Sequence, residues 1–135
     1  MANNLFLSPT EVRTLSEWKY AVDDKSITTE WFTPMWNYLA LLVPSNVAPN
    51  VITLAGLLCQ IEAWWITHNH SETHPVYAPI MAAILIFLYQ TLDAIDGKHA
   101  RNTKNSSSMG ELFDHGCDNI SSTFMILTVM SCLGV

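Results

Sequence analysis

Charged residues are scarce in this chain. Only 13% of its 135 residues are Asp, Glu, Lys or Arg, whereas soluble domains carry about a quarter. Six residues are basic against twelve acidic ones, and the net charge of −6 is opposite to the basic face of a nucleic-acid binder. The three cysteines are too few for a closed disulfide framework and lack the paired spacing of a zinc site. These shortages argue against a nucleic-acid binder, a disulfide framework and a zinc site, and the low content of charged residues favours a membrane protein.

Apolar residues are concentrated in three runs with few charges. Residues 50–67, 76–95 and 117–135 each approach the ~20 residues that cross about 30 Å of hydrocarbon. Helices of a soluble bundle need a polar stripe to face water, and these runs leave little polar material for one. The sequence therefore predicts an all-α polytopic membrane protein with three transmembrane helices.

The basic residues indicate how these spans are oriented. Three precede the first span, three lie between the second and the third, and the connector 68–75 has none. The six are Arg13, Lys19, Lys25, Lys98, Arg101 and Lys104. Because cytoplasmic loops carry the excess of Lys and Arg, we expect the N-terminus and the segment 93–118 to be cytoplasmic.

The segment 31–48 is apolar but too short to cross a membrane. Thr33 can serve as its N-cap and Pro34 as its first helical residue. We expect an amphipathic helix in the cytoplasmic headgroup layer. The side chains expected to insert are Trp31, Phe32, Met35 and Trp36. A strut packed against the spans is the alternative, and residues 1–30 are expected to be a polar cytoplasmic leader.

The segment 93–118, DAIDGKHARNTKNSSSMGELFDHGCD, carries the chemistry. Its four aspartates are Asp93, Asp96, Asp114 and Asp118. At about 100° per residue, the first two share a face of the helix that ends the second span, and the last two share a face of the following helix. Two antiparallel helices can therefore bring four carboxylates together.

Four carboxylates at low dielectric repel one another strongly and need cations. Hard divalent cations prefer oxygen ligands, and Mg²⁺ typically pairs with phosphate-bearing substrates. Two such ions could clamp the attacking and leaving oxygens on phosphorus. Gly97, Ala100 and Gly110 lack bulk and would let a ligand approach the backbone. Arg101 offers a forked cation for phosphate.

This pattern resembles the signature of the CDP-alcohol phosphotransferase family. Asp93-x-x-Asp96-Gly97-x-x-Ala100-Arg101, eight further residues, and Gly110-x-x-x-Asp114-x-x-x-Asp118 match it at every motif position. The contexts SNVAPNVITLAG, YQTLDAIDGKHAR and GELFDHGCD are most similar to the eukaryotic choline/ethanolamine phosphotransferases. Members of that group are much longer, so residues 49–135 are expected to be the N-terminal part of a larger helical bundle.

The resemblance implies transfer of phosphocholine or phosphoethanolamine from the CDP-alcohol to diacylglycerol, which gives the phospholipid and CMP. It implies two Mg²⁺ or Mn²⁺ ions bound by Asp93, Asp96, Asp114 and Asp118. It implies a CDP-alcohol site lined by Gly97, Ala100, Arg101 and Gly110. Asp118 is the expected general base, with His115, about 60° away on the same helix, as its rival. A homodimer of the full-length enzyme in the endoplasmic reticulum or Golgi is also implied.

Several alternatives stay open at this point. Asn50 is most simply the N-cap of the first span, but it could also contact the nucleotide. Glu62 is expected to be a structural polar residue within the span, and His68, His70 and His74 a polar loop rather than a metal site. The chain could also be an inositol-using transferase, or a truncated, non-catalytic adaptor that pairs with full-length subunits. A truncated product is expected to turn over poorly.

Overall fold

The computed structural model describes residues 8, 10, 13, 14 and 27–134. The chain divides into two compact units after Trp31, and the account below concerns the second unit. Most of the predicted leader 1–30 lies outside the described residues, as do Lys19 and Lys25.

The all-α prediction is confirmed for the part of the chain that the structure describes. Residues 27–134 form four helices and no strand. The helices are α1 (Ile27–Leu42), α2 (Pro49–His70), α3 (Tyr77–Asn102) and α4 (Ser108–Leu133). Short connections join them, so neighbouring helices along the chain can pack side by side.

The two helices that frame the predicted site begin with different caps. Ala48 is the N-cap of α2 and Pro49 occupies its first turn, where a missing N–H costs nothing. The expectation that Asn50 caps this helix is therefore wrong, because Asn50 already lies inside the first turn. At the start of α4, Ser107 Oγ accepts a hydrogen bond of 3.0 Å from the backbone N–H of Gly110.

Helix α1 begins earlier than the sequence predicted. It starts at Ile27, so Thr33 is not its N-cap and Pro34 lies inside the helix. A proline there removes one backbone hydrogen bond. Aromatic packing offsets this loss: the rings of Phe32 and Trp36 stack with centroids 5.7 Å apart, and Phe32 meets Phe87 of α3 edge-on at 6.2 Å.

One side of α1 packs against the other helices while another side stays exposed. Ala40 joins a buried apolar cluster with Ile52 of α2 and Ile95 of α3, and Trp36 packs against that cluster. Tyr38, Leu41 and Leu42 are exposed. Trp36 thus belongs to the packed side, which is the strut arrangement, whereas the exposed side is the one available to a headgroup layer.

Helix α2 is the common neighbour of the two helices that carry the acidic motif. It packs extensively against both α3 and α4, whereas α3 and α4 contact each other little. Its buried side chains recur every three or four residues along one face. They are Ile52, Thr53, Gly56, Gln60, Ala63 and Thr67. The relative position of α3 and α4 therefore depends on this face of α2.

Only α3, among the described helices, is apolar and long enough by composition to cross a membrane. The other two predicted spans fall largely within α2 and α4, which have 22 and 26 residues. Both helices carry polar residues within these runs: Gln60 and Glu62 in α2, and several Ser and Thr residues in α4. The three-span topology stays a prediction. Large apolar side chains such as Leu58, Ile84 and Ile126 are more than half exposed, which favours an apolar environment around these helices.

Candidate functional site

Three aspartates from two helices converge at one end of the helical unit. One carboxylate oxygen from each of Asp93, Asp114 and Asp118 lies within 4.8 Å of the others, and we call these residues the aspartate cluster. Asp93 belongs to α3, whereas Asp114 and Asp118 are four residues apart on α4 and so share one face. Three of the four aspartates predicted from the sequence are therefore within reach of one cation.

The fourth aspartate, Asp96, lies beside this cluster and is almost fully buried, with 4% of its surface exposed. Its Oδ2 accepts a hydrogen bond of 2.5 Å from Thr53 Oγ1 of α2. It also interacts with the carboxyl group of Asp114. Asp96 is thus held by a residue outside the motif. Sequence reasoning missed Thr53, although it follows Asn50 by three residues and so lies on the same side of α2.

The electrostatics of Asp114 fit a bound divalent cation. Burial raises the pKa of this carboxyl group, and the neighbouring charge of Asp118 raises it further. Asp114 Oδ1 is buried and meets no hydrogen-bond donor among the described residues. An unpaired buried acceptor costs about 1–3 kcal/mol, so the arrangement favours a cationic partner. A set of carboxylate oxygens suits Mg²⁺ or Mn²⁺.

A tyrosine that sequence reasoning missed contacts the cluster. Tyr89 lies one turn before Asp93 on α3, and its phenol donates a hydrogen bond of 3.2 Å to Asp118 Oδ1. The context YQTLD contains this residue, but no spacing rule marks it as a neighbour of an aspartate 29 positions further along the chain. The contact depends on how α3 and α4 are placed, which the local sequence does not specify.

The small residues of the motif lie next to polar side chains. A Cβ atom built on Gly97 would be 3.5 Å from Nη1 of Arg101, so the guanidinium group lies over this glycine. A Cβ atom on Gly110 would be 3.2 Å from Ser107 Oγ and 3.7 Å from Asn50 Oδ1. The structure therefore brings Asn50 and Gly110 together. Ala100 lies between Gly97 and Arg101 along α3 and is half-buried.

The two candidate bases differ in their surroundings. Asp118 belongs to the aspartate cluster and accepts the hydrogen bond from Tyr89. His115 is exposed on α4 and interacts electrostatically with the carboxyl group of Asp114. Both therefore lie at the acidic end of the helical unit.

Other histidines and acids flagged in the sequence lie elsewhere. His68 stacks on Trp64 at 5.4 Å, and the rings of His70 and His74 are 6.3 Å apart. Within the described ranges, the aspartate cluster is the group of three metal-binding side chains that the structure brings together, and these histidines lie outside it. Glu62 is exposed on α2.

His99, which the sequence analysis did not single out, has a structural contact. It is buried in α3, and its Nε2 lies 2.9 Å from the carbonyl oxygen of Val47. This bond fastens the end of α3 to the connection that precedes α2.

Comparison with known proteins agrees with the geometry. The sequence profile described as CDP-alcohol phosphatidyltransferase matches residues 46–135, which include the whole acidic motif. Cholinephosphotransferase 1 of Gallus gallus is 43% identical over 133 residues, which cover 96% of this chain and 39% of that protein. Its counterparts in Danio rerio and Homo sapiens are 39% and 38% identical, over 96% and 88% of this chain and 35% and 30% of their own lengths.

The chain thus spans about a third of the length of the curated relatives it matches. An uncharacterized CDP-alcohol phosphatidyltransferase class-I family protein of Dictyostelium discoideum is similar to the same degree, at 43% identity over 93% of this chain and 32% of its own length. The profile match alone covers more than half of the 135 residues. The chain therefore belongs to the CDP-alcohol phosphatidyltransferase family.

Proposed function

We propose that this chain carries the active-site residues for transfer of phosphocholine or phosphoethanolamine from a CDP-alcohol to diacylglycerol. The products are phosphatidylcholine or phosphatidylethanolamine and CMP. The observation that carries the proposal is the aspartate cluster, in which carboxylates from α3 and α4 approach within 4.8 Å. Similarity to proteins named cholinephosphotransferase 1 supports the choice of substrates.

Two Mg²⁺ or Mn²⁺ ions are the proposed cofactors, held by Asp93, Asp96, Asp114 and Asp118. The unpaired Oδ1 of Asp114 supports this assignment, because a buried acceptor of this kind suits a cation. When bound, such ions supply charge neutralisation at the diphosphate and polarise its phosphorus–oxygen bonds. Thr53 fixes the carboxylate of Asp96 by its hydrogen bond, so that the rotation of this buried ligand is restricted.

The CDP-alcohol is proposed to lie against the small residues of the motif. Gly97 and Ala100 would let the diphosphate approach α3, where the guanidinium of Arg101 can donate two hydrogen bonds to it. Gly110 and Asn50 lie side by side at the start of α4 and α2. The side-chain amide of Asn50 is available there to hydrogen-bond the nucleotide.

In the proposed reaction, the hydroxyl oxygen of diacylglycerol attacks the β-phosphorus of the CDP-alcohol. A new P–O bond forms, the bond to the bridging oxygen breaks, and CMP leaves with the electron pair. The hydroxyl proton passes to Asp118, whose membership of the cluster supports its role as general base. His115 is the second candidate, supported by its place beside Asp114.

The proposed setting is the membrane of the endoplasmic reticulum or the Golgi, with the acidic motif on the cytoplasmic side. The apolar α3 and the exposed apolar side chains support membrane association. The basic residues near the motif, among them Lys98, Arg101 and Lys104, support the orientation. The homodimer proposed for the full-length enzyme rests on family resemblance.

Product formation from radiolabelled CDP-choline or CDP-ethanolamine and diacylglycerol tests the proposal and the head-group preference together. The 135-residue chain is reconstituted in lipid nanodiscs, with and without Mn²⁺. We expect metal-dependent CMP release that Asp118→Asn lowers about 10²–10⁴-fold, the usual contribution of a general base. His115→Ala should lower it less if Asp118 is the base.

Glu72→Gln is the matched control, because it removes an exposed carboxylate in the connector between α2 and α3. Its activity should equal that of the unmodified chain. Absence of metal-dependent CMP release would contradict the proposal and favour the non-catalytic adaptor.

A further inference from the structure

Tyr89 lies outside the acidic motif but contacts its last aspartate. Its phenol oxygen is 3.2 Å from Asp118 Oδ1 and donates a hydrogen bond to it across the gap between α3 and α4. These two helices otherwise contact each other little. The Tyr89–Asp118 hydrogen bond is thus one of few direct links between the two halves of the motif.

The ring of Tyr89 is positioned by α2. A Cβ atom built on Gly56 would lie 3.3 Å from Cδ2 of this ring, closer than an ordinary contact, so the ring packs directly on the glycine backbone. The phenol also lies near Ser121 of α4, which is fully buried and whose Oγ makes no hydrogen bond among the described residues. The ring of Tyr89 thus contacts Gly56 and its phenol oxygen contacts Asp118, so the rotation of this side chain is restricted.

We propose that Tyr89 is a positioning residue for Asp118. A hydrogen bond to Oδ1 fixes the plane of the carboxylate and leaves Oδ2 with its lone pairs available for a cation or for a proton. The inference rests on the proposed function and deepens it, because it explains how a residue outside the motif orients one member of the aspartate cluster. Partners of this kind typically contribute about 10–100-fold to metal affinity or activity.

The competing explanation is that Tyr89 only fills space. Its ring packs on Gly56 whether or not the hydroxyl group is present. A purely structural role thus predicts that loss of the hydroxyl changes neither metal binding nor turnover. A positioning role predicts that both change while the fold remains.

Tyr89→Phe separates these two explanations, since it keeps the ring and removes only the donor. We expect this variant of the 135-residue chain to bind Mn²⁺ about tenfold more weakly in an electron paramagnetic resonance titration without substrate. The kcat for transfer should fall about 10–100-fold with little change in KM for the CDP-alcohol. The thermal midpoint of the metal-free chain should stay the same.

Tyr77→Phe is the matched control. Tyr77 is exposed at the opposite end of α3, so this variant loses the same hydroxyl group far from the aspartate cluster. A second variant, Gly56→Ala, displaces the ring of Tyr89 while keeping its hydroxyl. Its effect on Mn²⁺ affinity should not add to that of Tyr89→Phe, because both act through one hydrogen bond.

The outcomes distinguish this inference from the function on which it rests. If the unmodified chain binds Mn²⁺, Asp93→Asn abolishes binding and Tyr89→Phe binds like the unmodified chain, the positioning role is wrong and the proposed function stands. If the unmodified chain binds no Mn²⁺, the proposed function fails and the positioning role fails with it. Additive effects of Gly56→Ala and Tyr89→Phe would also overturn the inference.

Discussion

A methyl group added at Gly97 would meet, among the described residues, only Nη1 of Arg101, at the ordinary distance of 3.5 Å. We therefore expect Gly97→Ala to keep the fold and to stabilise α3 by about 0.5–1 kcal/mol, because alanine favours helix over glycine. The same methyl group would occupy the surface proposed for the diphosphate of the CDP-alcohol. CDP-choline should bind at least about tenfold more weakly, which equilibrium dialysis with Mn²⁺ present would measure.

Gly116 supplies the control for that prediction. It lies on α4 within the same motif segment, and a methyl group there meets nothing within 4 Å among the described atoms. Gly116→Ala should therefore raise helix stability by a similar amount and leave CDP-choline binding unchanged. Equal affinities in the two variants would remove Gly97 from the nucleotide site.

The hydroxyl of Thr53 donates a buried hydrogen bond to the carboxylate of Asp96. Thr53→Val keeps the shape of the side chain but leaves a buried carboxylate oxygen without its donor. We expect the free energy of unfolding to fall by about 1–3 kcal/mol and Mn²⁺ affinity to fall about tenfold. Thermal unfolding and a metal titration on the same sample measure both effects.

The matched control is Thr67→Val on the same helix. Thr67 is buried, as Thr53 is, but its hydroxyl donates to the carbonyl oxygens of Ala63 and Trp64 within α2. Its removal should leave metal affinity unchanged. A loss of affinity as large as that of Thr53→Val would indicate a general effect of α2 packing.

At the residue scale, the sequence predicted the grouping of the aspartates but not the contacts that Thr53 and Tyr89 make with them. The aspartates follow fixed spacings of three or four residues, so helical geometry alone groups them on shared faces. Thr53 and Tyr89 reach the site from distant parts of the chain, 43 and 29 residues from their partners. Contacts of that kind depend on helix packing, for which local spacing holds no information.

At the scale of the helices, the first turn of α4 supports the aspartate cluster. Ser107 caps this turn through Gly110, and Asp114 lies one turn further along. Ser107→Ala should lower the free energy of unfolding by about 1 kcal/mol and increase hydrogen exchange at the start of α4. Ser106→Ala, an exposed serine before the cap, should leave exchange unchanged. Equal exchange in both variants would contradict the role of the cap.

The acidic ends of α3 and α4 give the site a pH dependence. Burial raises the pKa of Asp114, so the native chain binds more protons than the unfolded chain as the pH rises above the ordinary carboxyl range. The metal-free chain should therefore lose stability as the pH rises through that raised pKa. A cation must displace the proton, so Mn²⁺ affinity should increase over the same interval.

Thermal midpoints measured against pH, with EDTA and with Mn²⁺, test both signs of this prediction. The stability difference between the two conditions should widen as the pH increases. Asp114→Asn removes one of the titrating carboxyl groups of the site and should make the metal-free curve shallower. A metal-free midpoint that increases with pH would contradict the assignment.

The helices themselves were predicted with unequal success, for a physical reason. The long apolar runs predicted α2, α3 and α4. In apolar surroundings, such a run can hydrogen-bond its own backbone N–H and C=O groups only by forming a helix. The sequence predicts that α1 begins at Thr33, because proline favours the first helical position, but the helix begins at Ile27 and Phe32 and Trp36 stack on each other across Pro34. Capping rules describe local hydrogen bonds and do not include such packing.

For the whole molecule, the testable property is the orientation in the membrane. We expect the connector between α2 and α3 and the connector between α3 and α4 to lie on opposite sides, because all basic residues avoid the former. In sealed microsomes, an impermeant maleimide should label Ser106→Cys directly and Ser71→Cys only after detergent is added. The three native cysteines are first replaced by alanine.

Labelling of both positions without detergent would contradict that topology. Labelling of neither after detergent would show that the positions are inaccessible in the fold, which disagrees with the exposure of Ser106. The pattern of basic residues thus gives a prediction that is independent of the aspartate cluster.

Helix α2 has a consequence for any attempt to transplant this site into another protein. The motif residues lie on α3 and α4, yet these helices barely contact each other and are both packed on α2. The hydroxyl of Thr53 and the glycine backbone at Gly56 complete the surroundings of the aspartates. A designer who copies only residues 93–118 onto a new helical pair would transfer the aspartates without the helix that positions them, so the smallest portable unit begins at Pro49.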